Sequence, residues 1–553
     1  MLRAVDDGAP QLDHLGDFTA TPRLLTISAL ALPVGAIGAL TAWALLRLIG
    51  LITNAVFYQR FGTSLVAPGQ VHHPPALILL APVAGGLAIG LLARYGSEKI
   101  RGHGIPEAIE AILVSGSRVQ PRVAALKPLA SAIAIGTGGP FGAEGPIIMT
   151  GGAIGSLSAQ LLHLTADERK TLLVAGAAAG MAATFNAPLA SVLLAVELLL
   201  FEWRPRSFVP VVTAVAVATA IRIPLLGGGA LFLAPPGPLH LDGVVLALCA
   251  VSGVLAGALA LAATSLVYAA EEGFQRLHVH WMWWPAIGGL IVGLGGLIVP
   301  QALGVGYNVI HGELDGTITM KLIVGILIVK TIIWSLSLGS GTSGGVLAPM
   351  LMIGGALGGL EATIFPAVAP GFWALIALAG VLGGVMRSPL TGVAFALELT
   401  HRYEAALPLL ICATTAFAVS VLVLRRSVLT EKIARRGLHL SREYSVDPLE
   451  ILFVHEVMSD GSGPVAAAGL PAVHADDTLR HVAYVMAESG HTVLPVSDRR
   501  DPGARIGTIT LQQLLQGRLR DLREERHSER VLTPLSLIGV RDDGATREAT
   551  VRR

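Results

Sequence analysis

Glu144 lies in Gly-Pro-Phe-Gly-Ala-Glu-Gly-Pro (139–146) and is the only formal charge between Lys127 and Asp167. Its neighbours are apolar or small, as in a membrane interior. An ionisable group there is costly, so its default chemistry is that of an ion path, a proton relay or a gate. Glycines and prolines on both sides interrupt the helix, and broken backbone at membrane depth survives only where protein buries it or a cavity meets it. An intramembrane enzyme using Glu144 and His103 as an acid/base pair would need a nucleophile or metal cluster at sensible spacing, and none accompanies them. A divalent-cation pore would need several acids, whereas the repeated motifs offer only Glu144.

The elements that must position this carboxylate are membrane helices. The chain has 553 residues, 53% hydrophobic and 14% charged, with a mean hydropathy of +0.67. Soluble domains carry about 25% charged residues, so the composition indicates an all-α polytopic membrane protein. A net charge of +1 argues against nucleic acid as a partner. Cys249 and Cys412 both lie in apolar runs and read as small core residues, not as a disulfide or metal pair. Residues 1–23 read as a polar, mixed-charge cytoplasmic segment without a signal peptide.

Apolar runs fill most of 24–424, the clearest being 24–58, 75–95, 171–201, 208–226, 242–270, 283–304, 320–338 and 371–399. Shorter glycine- and proline-broken segments, such as 104–115 and 345–366, suit re-entrant helices. Trp281-Met282-Trp283-Trp284 reads as an interfacial aromatic anchor, with ordinary packing as the alternative. Arg425, Arg426, Lys432, Arg435 and Arg436 follow the last run and place the C-terminus in the cytoplasm. Beyond about 440 the chain is charge-rich and reads as a small soluble domain.

The membrane part is duplicated. Residues 146–155 match 349–358 (349 − 146 = 203), and 187–198 match 388–399 (389 − 188 = 201). The repeats span approximately 75–225 and 283–424. Duplicated halves with matching broken helices place a site between them. Gly-Ala-Glu-Gly-Pro (142–146) and Gly-Val-Leu-Ala-Pro (345–349) both put small residues before a proline at a helix start. Two helix N-termini aimed at one point offer free N–H groups and partial positive charge, which is an anion site needing no fixed cation. No Lys or Arg adjoins either motif, consistent with an ion that must also leave.

With these residues in view the chain resembles the CLC family of chloride channels and anion/proton antiporters. The signatures, in order, are Gly-His-Gly-Ile-Pro (102–106), Gly-Ala-Glu-Gly-Pro (142–146) and Gly-Val-Leu-Ala-Pro (345–349), with support from 185–190, 388–392 and 427–437. The resemblance covers roughly 24–437. It implies an antiparallel two-half fold of many tilted and re-entrant helices. It also implies a homodimer with one pore per subunit, in a bacterial-style inner membrane. Glu144 would be the gate, its carboxylate imitating an anion until protonation or displacement swings it out. The anion, chloride by family default, would meet His103, Gly104, Ile105, Gly145, Val346, Leu347, Ala348 and Leu429.

Several positions depart from the family pattern. His103 stands where a serine usually contacts the anion, and reads either as an N–H donor or proton carrier, or as a neutral ring satisfied by backbone. Leu429 replaces a tyrosine, Leu347 a phenylalanine, and Ala143 a basic residue. The antiporters' inner proton glutamate aligns with Leu198, which cannot carry a proton. Its neighbour Glu197 matches Glu398 in the other half, suggesting a shared structural bond to backbone. Glu202, one turn beyond Leu198, offers a rerouted proton path. These departures favour passive or weakly coupled conduction, with an antiporter using a rerouted path as the alternative.

Residues 438–553 hold an α/β domain resembling one CBS repeat: 454–459, 476–479, 491–496 and 506–510 carry the likeness. One copy per chain would pair across a dimer. Gln513 stands where nucleotide-binding copies carry an acid, so the resemblance implies dimerisation rather than adenine nucleotide binding. No cofactor or metal is expected. The stretch 518–530 alternates in charge like a solvated helix face.

Overall fold

The computed structural model describes residues 21–526 except Val114, Pro236, Thr430, 432–446, 465–469 and Arg500. The N-terminal segment up to Ala20, three of the five C-terminal basic residues (Lys432, Arg435, Arg436) and the end of the charged tail lie outside the described residues. The chain divides into a membrane unit within Phe18–Arg442 and a smaller unit within Glu443–Arg553.

Among the described residues seven helices are long and apolar enough to cross a membrane, from Arg23–Phe57 to Tyr403–Val423. Between them lie shorter helices that begin or end at depth. The apolar run 171–201, read as one segment, is two helices: Ala166–Phe185 ends on Asn186 in the left-handed region (φ 55°), and a new helix starts at Pro188. The run 371–399 breaks in the same way, at Arg387 (φ 55°) before Pro389. At each break a residue in the left-handed region ends one helix, and a proline, whose missing N–H costs nothing at a first helical position, starts the next; elsewhere the chain carries prolines such as Pro82 and Pro128 inside helices.

The duplication is visible element by element. The helix Glu144–Gln160 corresponds to Leu347–Glu361, Ala166–Phe185 to Phe372–Met386, and Pro205–Leu226 to Ala406–Val423. The halves grip each other through reciprocal caps. Glu398 accepts from the amides of Leu189 (2.9 Å) and Ala190 (2.8 Å), at the start of the first half's Pro188 helix. Glu197 accepts from the amide (3.0 Å) and hydroxyl (2.5 Å) of Thr391, at the start of the second half's Pro389 helix. Each carboxylate thus satisfies orphan N–H groups of the opposite repeat. Glu197 sits on a π-helical stretch, Ala195–Leu200. Cys249 and Cys412 are free and buried.

The smaller unit is α/β. Strands β1 (Ser459–Pro464), β2 (Val473–His474), β3 (Val493–Asp498) and β4 (Asp501–Thr510) form one sheet in the order β1-β4-β3-β2, with β2 and β3 parallel. Val473, Leu479, Val482, Leu494, Val496 and Ile509 make its core. Gln513 caps its own helix, its side-chain oxygen accepting from the Thr510 amide at 2.8 Å and its amide nitrogen reaching Ser459 Oγ at 2.6 Å.

Removing one reciprocal cap should loosen the seam between halves. Glu398→Ala should cost about 1–2 kcal/mol, the usual worth of a helix cap, read as a lower unfolding midpoint in detergent. An unchanged midpoint would mean that the cap does not hold the halves together.

Candidate functional site

The two repeated motifs meet. Gly345 donates its amide to the Gly142 carbonyl at 2.9 Å, and Gly142 returns a longer bond to the Gly345 carbonyl at 3.4 Å. This two-residue bridge sets the starts of the Glu144 and Leu347 helices side by side. A third start joins them. A Cβ on Gly104, whose φ is +93°, would stand 2.3 Å from the Gly145 carbonyl oxygen, and one on Gly145 would stand 1.8 Å from that of His103. Only glycine allows this backbone-to-backbone approach.

Glu144 is fully buried at this junction. Its side chain folds back over its own helix start, and Oε1 accepts from the Ala348 amide at 3.0 Å. The amides of Leu347 and of Glu144 itself also bear on the carboxylate. Oε2 has no hydrogen-bond partner among the described residues. The seat is shaped by missing side chains: a Cβ on Gly142 would lie 1.8 Å from Oε2, and one on Gly345 2.5 Å from Cδ. An anionic carboxylate held by helix N-termini is what the convergent dipoles favour.

The structure departs from the reading of backbone donors at one point. The Gly104 amide, expected among the anion contacts, donates to Glu107 Oε2 at 2.8 Å, because Glu107 lies three residues on and caps its own helix. Ile105, Gly145, Val346, Leu347 and Leu429 are all buried, and of these Gly145, Val346 and Leu347 lie at the two helix starts that meet. His103 is buried too and borders a cavity of about 550 Å³ that also meets Arg101, Glu110, Arg118, Met149 and Glu271. Arg101 is held at its edge, its guanidinium 4.6 Å from the Trp281 ring and 5.5 Å from that of Trp284.

Leu198 is buried, with Glu197 beside it committed to Thr391. Glu202 is not poised as a substitute. It lies 3.3 Å from Lys170, 3.3 Å from Arg206 and 3.7 Å from Arg204. Partial burial raises its carboxyl, but Lys170 and Arg206 outweigh that and hold it below the usual carboxylate range. A proton station must exchange its proton, and this group is held toward its charged form by the cations around it.

Sequence reasoning missed two lysines. Lys127 donates to the carbonyls of Ile100 (2.8 Å) and Gly102 (2.6 Å), and Lys330 to those of Ala302 (2.9 Å) and Gly304 (2.8 Å). The pairs are repeat-related: 330 − 127 = 203, 302 − 100 = 202 and 304 − 102 = 202. Each buried ammonium ties down the turn that feeds a short helix, Ile105–Leu113 or Tyr307–Leu314. Lys330 also interacts electrostatically with Glu144, although no lysine adjoins the motifs in sequence. The constant offset was the available signal.

The family model described as voltage gated chloride channel matches residues 85–421. A putative chloride channel protein, ClcB-like, of Ralstonia nicotianae is 29% identical over 371 residues, covering 65% of this chain and 85% of that protein. The H(+)/Cl(-) exchange transporter ClcA of Salmonella paratyphi A is 33% identical over 364 residues, covering 61% and 74%. The fold is shared with a slow cyanobacterial Cl-/H+ antiporter (TM-score 0.62, 23% identity, 76% of this chain and 99% of that one). It is shared also with a CLC-type fluoride/proton antiporter (TM-score 0.61, 18% identity, 72% and 97%). Since the family match runs through most of the membrane unit and takes in both repeated motifs, the chain belongs to the voltage gated chloride channel (CLC) family and is an integral membrane protein of anion transport.

Proposed function

We propose that this chain carries chloride through a pore gated by Glu144, by passive or weakly proton-coupled conduction. The observation that supports the gate most is the bond from the Ala348 amide to Glu144 Oε1 inside a seat that a Cβ on Gly142 or Gly345 would fill. In the closed state the carboxylate takes the place of an anion. Protonation removes the charge that the helix starts hold, and an arriving anion competes for the same amides; either frees the side chain. The site then consists of backbone dipoles, with His103 bordering the larger cavity on the approach.

Weak coupling is favoured because Leu198 cannot carry a proton and Glu202 is bound to three cations. A second reading, chloride/proton exchange by a rerouted path, is favoured by the likeness to an H(+)/Cl(-) exchange transporter at 33% identity. The rest of the proposal follows the family: a homodimer in a bacterial inner membrane, both termini cytoplasmic, with the CBS-like unit pairing across the dimer. Gln513 is engaged in capping its own helix, which supports dimerisation over nucleotide binding there.

Chloride efflux from liposomes with a pH electrode tests both parts. Wild-type efflux should rise on acidification, and Glu144→Gln should be fast and pH-independent; unchanged flux and pH response in that variant would remove Glu144 as the gate. A chloride gradient should drive little uphill proton movement, and robust pumping would select the exchange reading instead.

Gly142→Ala offers an independent handle, because the nearest atoms to its new Cβ are all from the Glu144 carboxyl. The methyl should expel the carboxylate and raise efflux at neutral pH severalfold without replacing any ionisable residue. Wild-type efflux in a folded Gly142→Ala protein would mean that the seat is not the closed state.

A further inference from the structure

A second buried acid stands behind Lys330. Glu313 lies on the helix Tyr307–Leu314, is 4% exposed, and neither carboxylate oxygen has a hydrogen-bond partner among the described residues. A buried carboxylate without hydrogen bonds is expensive, so the group needs either a counter-charge or a proton. Its counter-charge is Lys330, which interacts electrostatically with Glu313 and with Glu144 alike. Lys330 is itself fully buried and ends a π-helical turn, Ile326–Lys330, a distortion common at functional sites. Two of its three N–H donors go to the carbonyls of Ala302 and Gly304.

Fold symmetry does not account for this acid. In the register that pairs Gly102 with Gly304 and Gly104 with Gly306, the partner of Glu313 is Ala111. Ala111 borders the cavity of about 550 Å³ that His103 meets; Glu313 borders a cavity of about 220 Å³ lined also by Gly316, Ile318, Thr363 and Phe372. That cavity has room for water, which a proton site requires. Few other charges face the group. On its own helix His311 is 3.2 Å from Asp315, and both are partly exposed. The packed helix Leu347–Glu361 contributes only Glu361, which accepts from Ser252 at 2.7 Å, and Phe372–Met386 has no ionisable residue. Tyr307, at the start of the Glu313 helix, faces Glu144 and Arg222.

We propose that Glu313 is a proton-binding site of the transport unit, sharing one proton with Glu144 across the single ammonium of Lys330. The inference rests on reading Glu144 as the gate. Two buried carboxyls and one buried cation are neutral together only when one carboxyl carries a proton. The proton lost by Glu313 is the one gained by Glu144: an O–H bond breaks at one carboxyl and forms at the other, and Lys330 holds three N–H bonds before and after. Water in the cavity beside Glu313 supplies or removes the proton. Opening of the gate is thereby tied to the charge of a residue that no anion touches.

The test is the pH dependence of chloride efflux in liposomes for wild type, Glu144→Gln, Glu313→Gln and Gly355→Ala. With Glu313 neutral, Lys330 compensates Glu144 alone, and the closed carboxylate should persist to lower pH. The midpoint of acid activation should fall by about one unit or more, with maximal efflux at low pH kept. Gly355→Ala keeps both glutamates in the sequence, but its Cβ would stand 2.1 Å from Glu313 Oε2 and displaces that group. It should move the midpoint in the same direction, and it stands in for Glu313→Gln if that variant does not fold. A folded variant of either kind with the wild-type midpoint overturns the proposal, provided Glu144→Gln has lost its pH dependence. If Glu144→Gln keeps its pH response, the gate reading has failed, and the sharing proposal with it.

Discussion

The bond between Glu144 and the Ala348 amide is the interaction on which the transport unit depends. A fully buried carboxylate needs compensation, and here helix starts, not a contacting cation, supply it. That choice dictates the neighbourhood. The N–H groups must point at one spot, so two helices have to begin there with the Gly104 turn packed against them, and their backbones must come closer than side chains allow. The glycines at 104, 142, 145 and 345 follow from that crowding. A site made this way binds an anion without holding it as tightly as a salt bridge would, which suits an ion that must move on.

Duplication explains how one chain builds such a point. Each half contributes a broken helix whose start faces the other, and the halves are tied by features that recur at nearly constant offset. The Gly142–Gly345 bridge lies at the centre. Glu197 and Glu398 cap one another's helices. Lys127 and Lys330 pin the turns before the two short helices. Where the halves differ, the difference is chemical: Glu144 sits opposite Leu347, and Glu313 takes the position of Ala111. Symmetry makes the scaffold, and its violations carry charge.

Much of this was legible in the sequence. A lone acid among apolar residues, flanked by glycine and proline, is readable because burial of charge is rare and costly. The repeats were readable because small residues and prolines recur in order. Glu197 and Glu398 stood out as a matched pair, although only the structure says which amides they hold. The lysines were overlooked because their contacts run to carbonyls 25–28 residues away, not to the motifs they serve. Glu313 was invisible for a related reason: it sits in an ordinary polar stretch, and its burial comes from packing against Gly355, 42 residues on (355 − 313). The Gly104 amide was misjudged because a glycine-rich turn suggests open donors, while the capping reach of Glu107 is a matter of side-chain geometry.

The central claim is that the Glu144 carboxylate and the transported anion compete for one set of amides. Bromide, located by anomalous scattering in crystals of the wild type and of Glu144→Gln at neutral pH, tests it directly. The account predicts a bromide peak against the Ala348 amide, between Gly142 and Gly345, in the variant and none there in the wild type. Equal bromide density at that place in both proteins, or its absence from both, would contradict it.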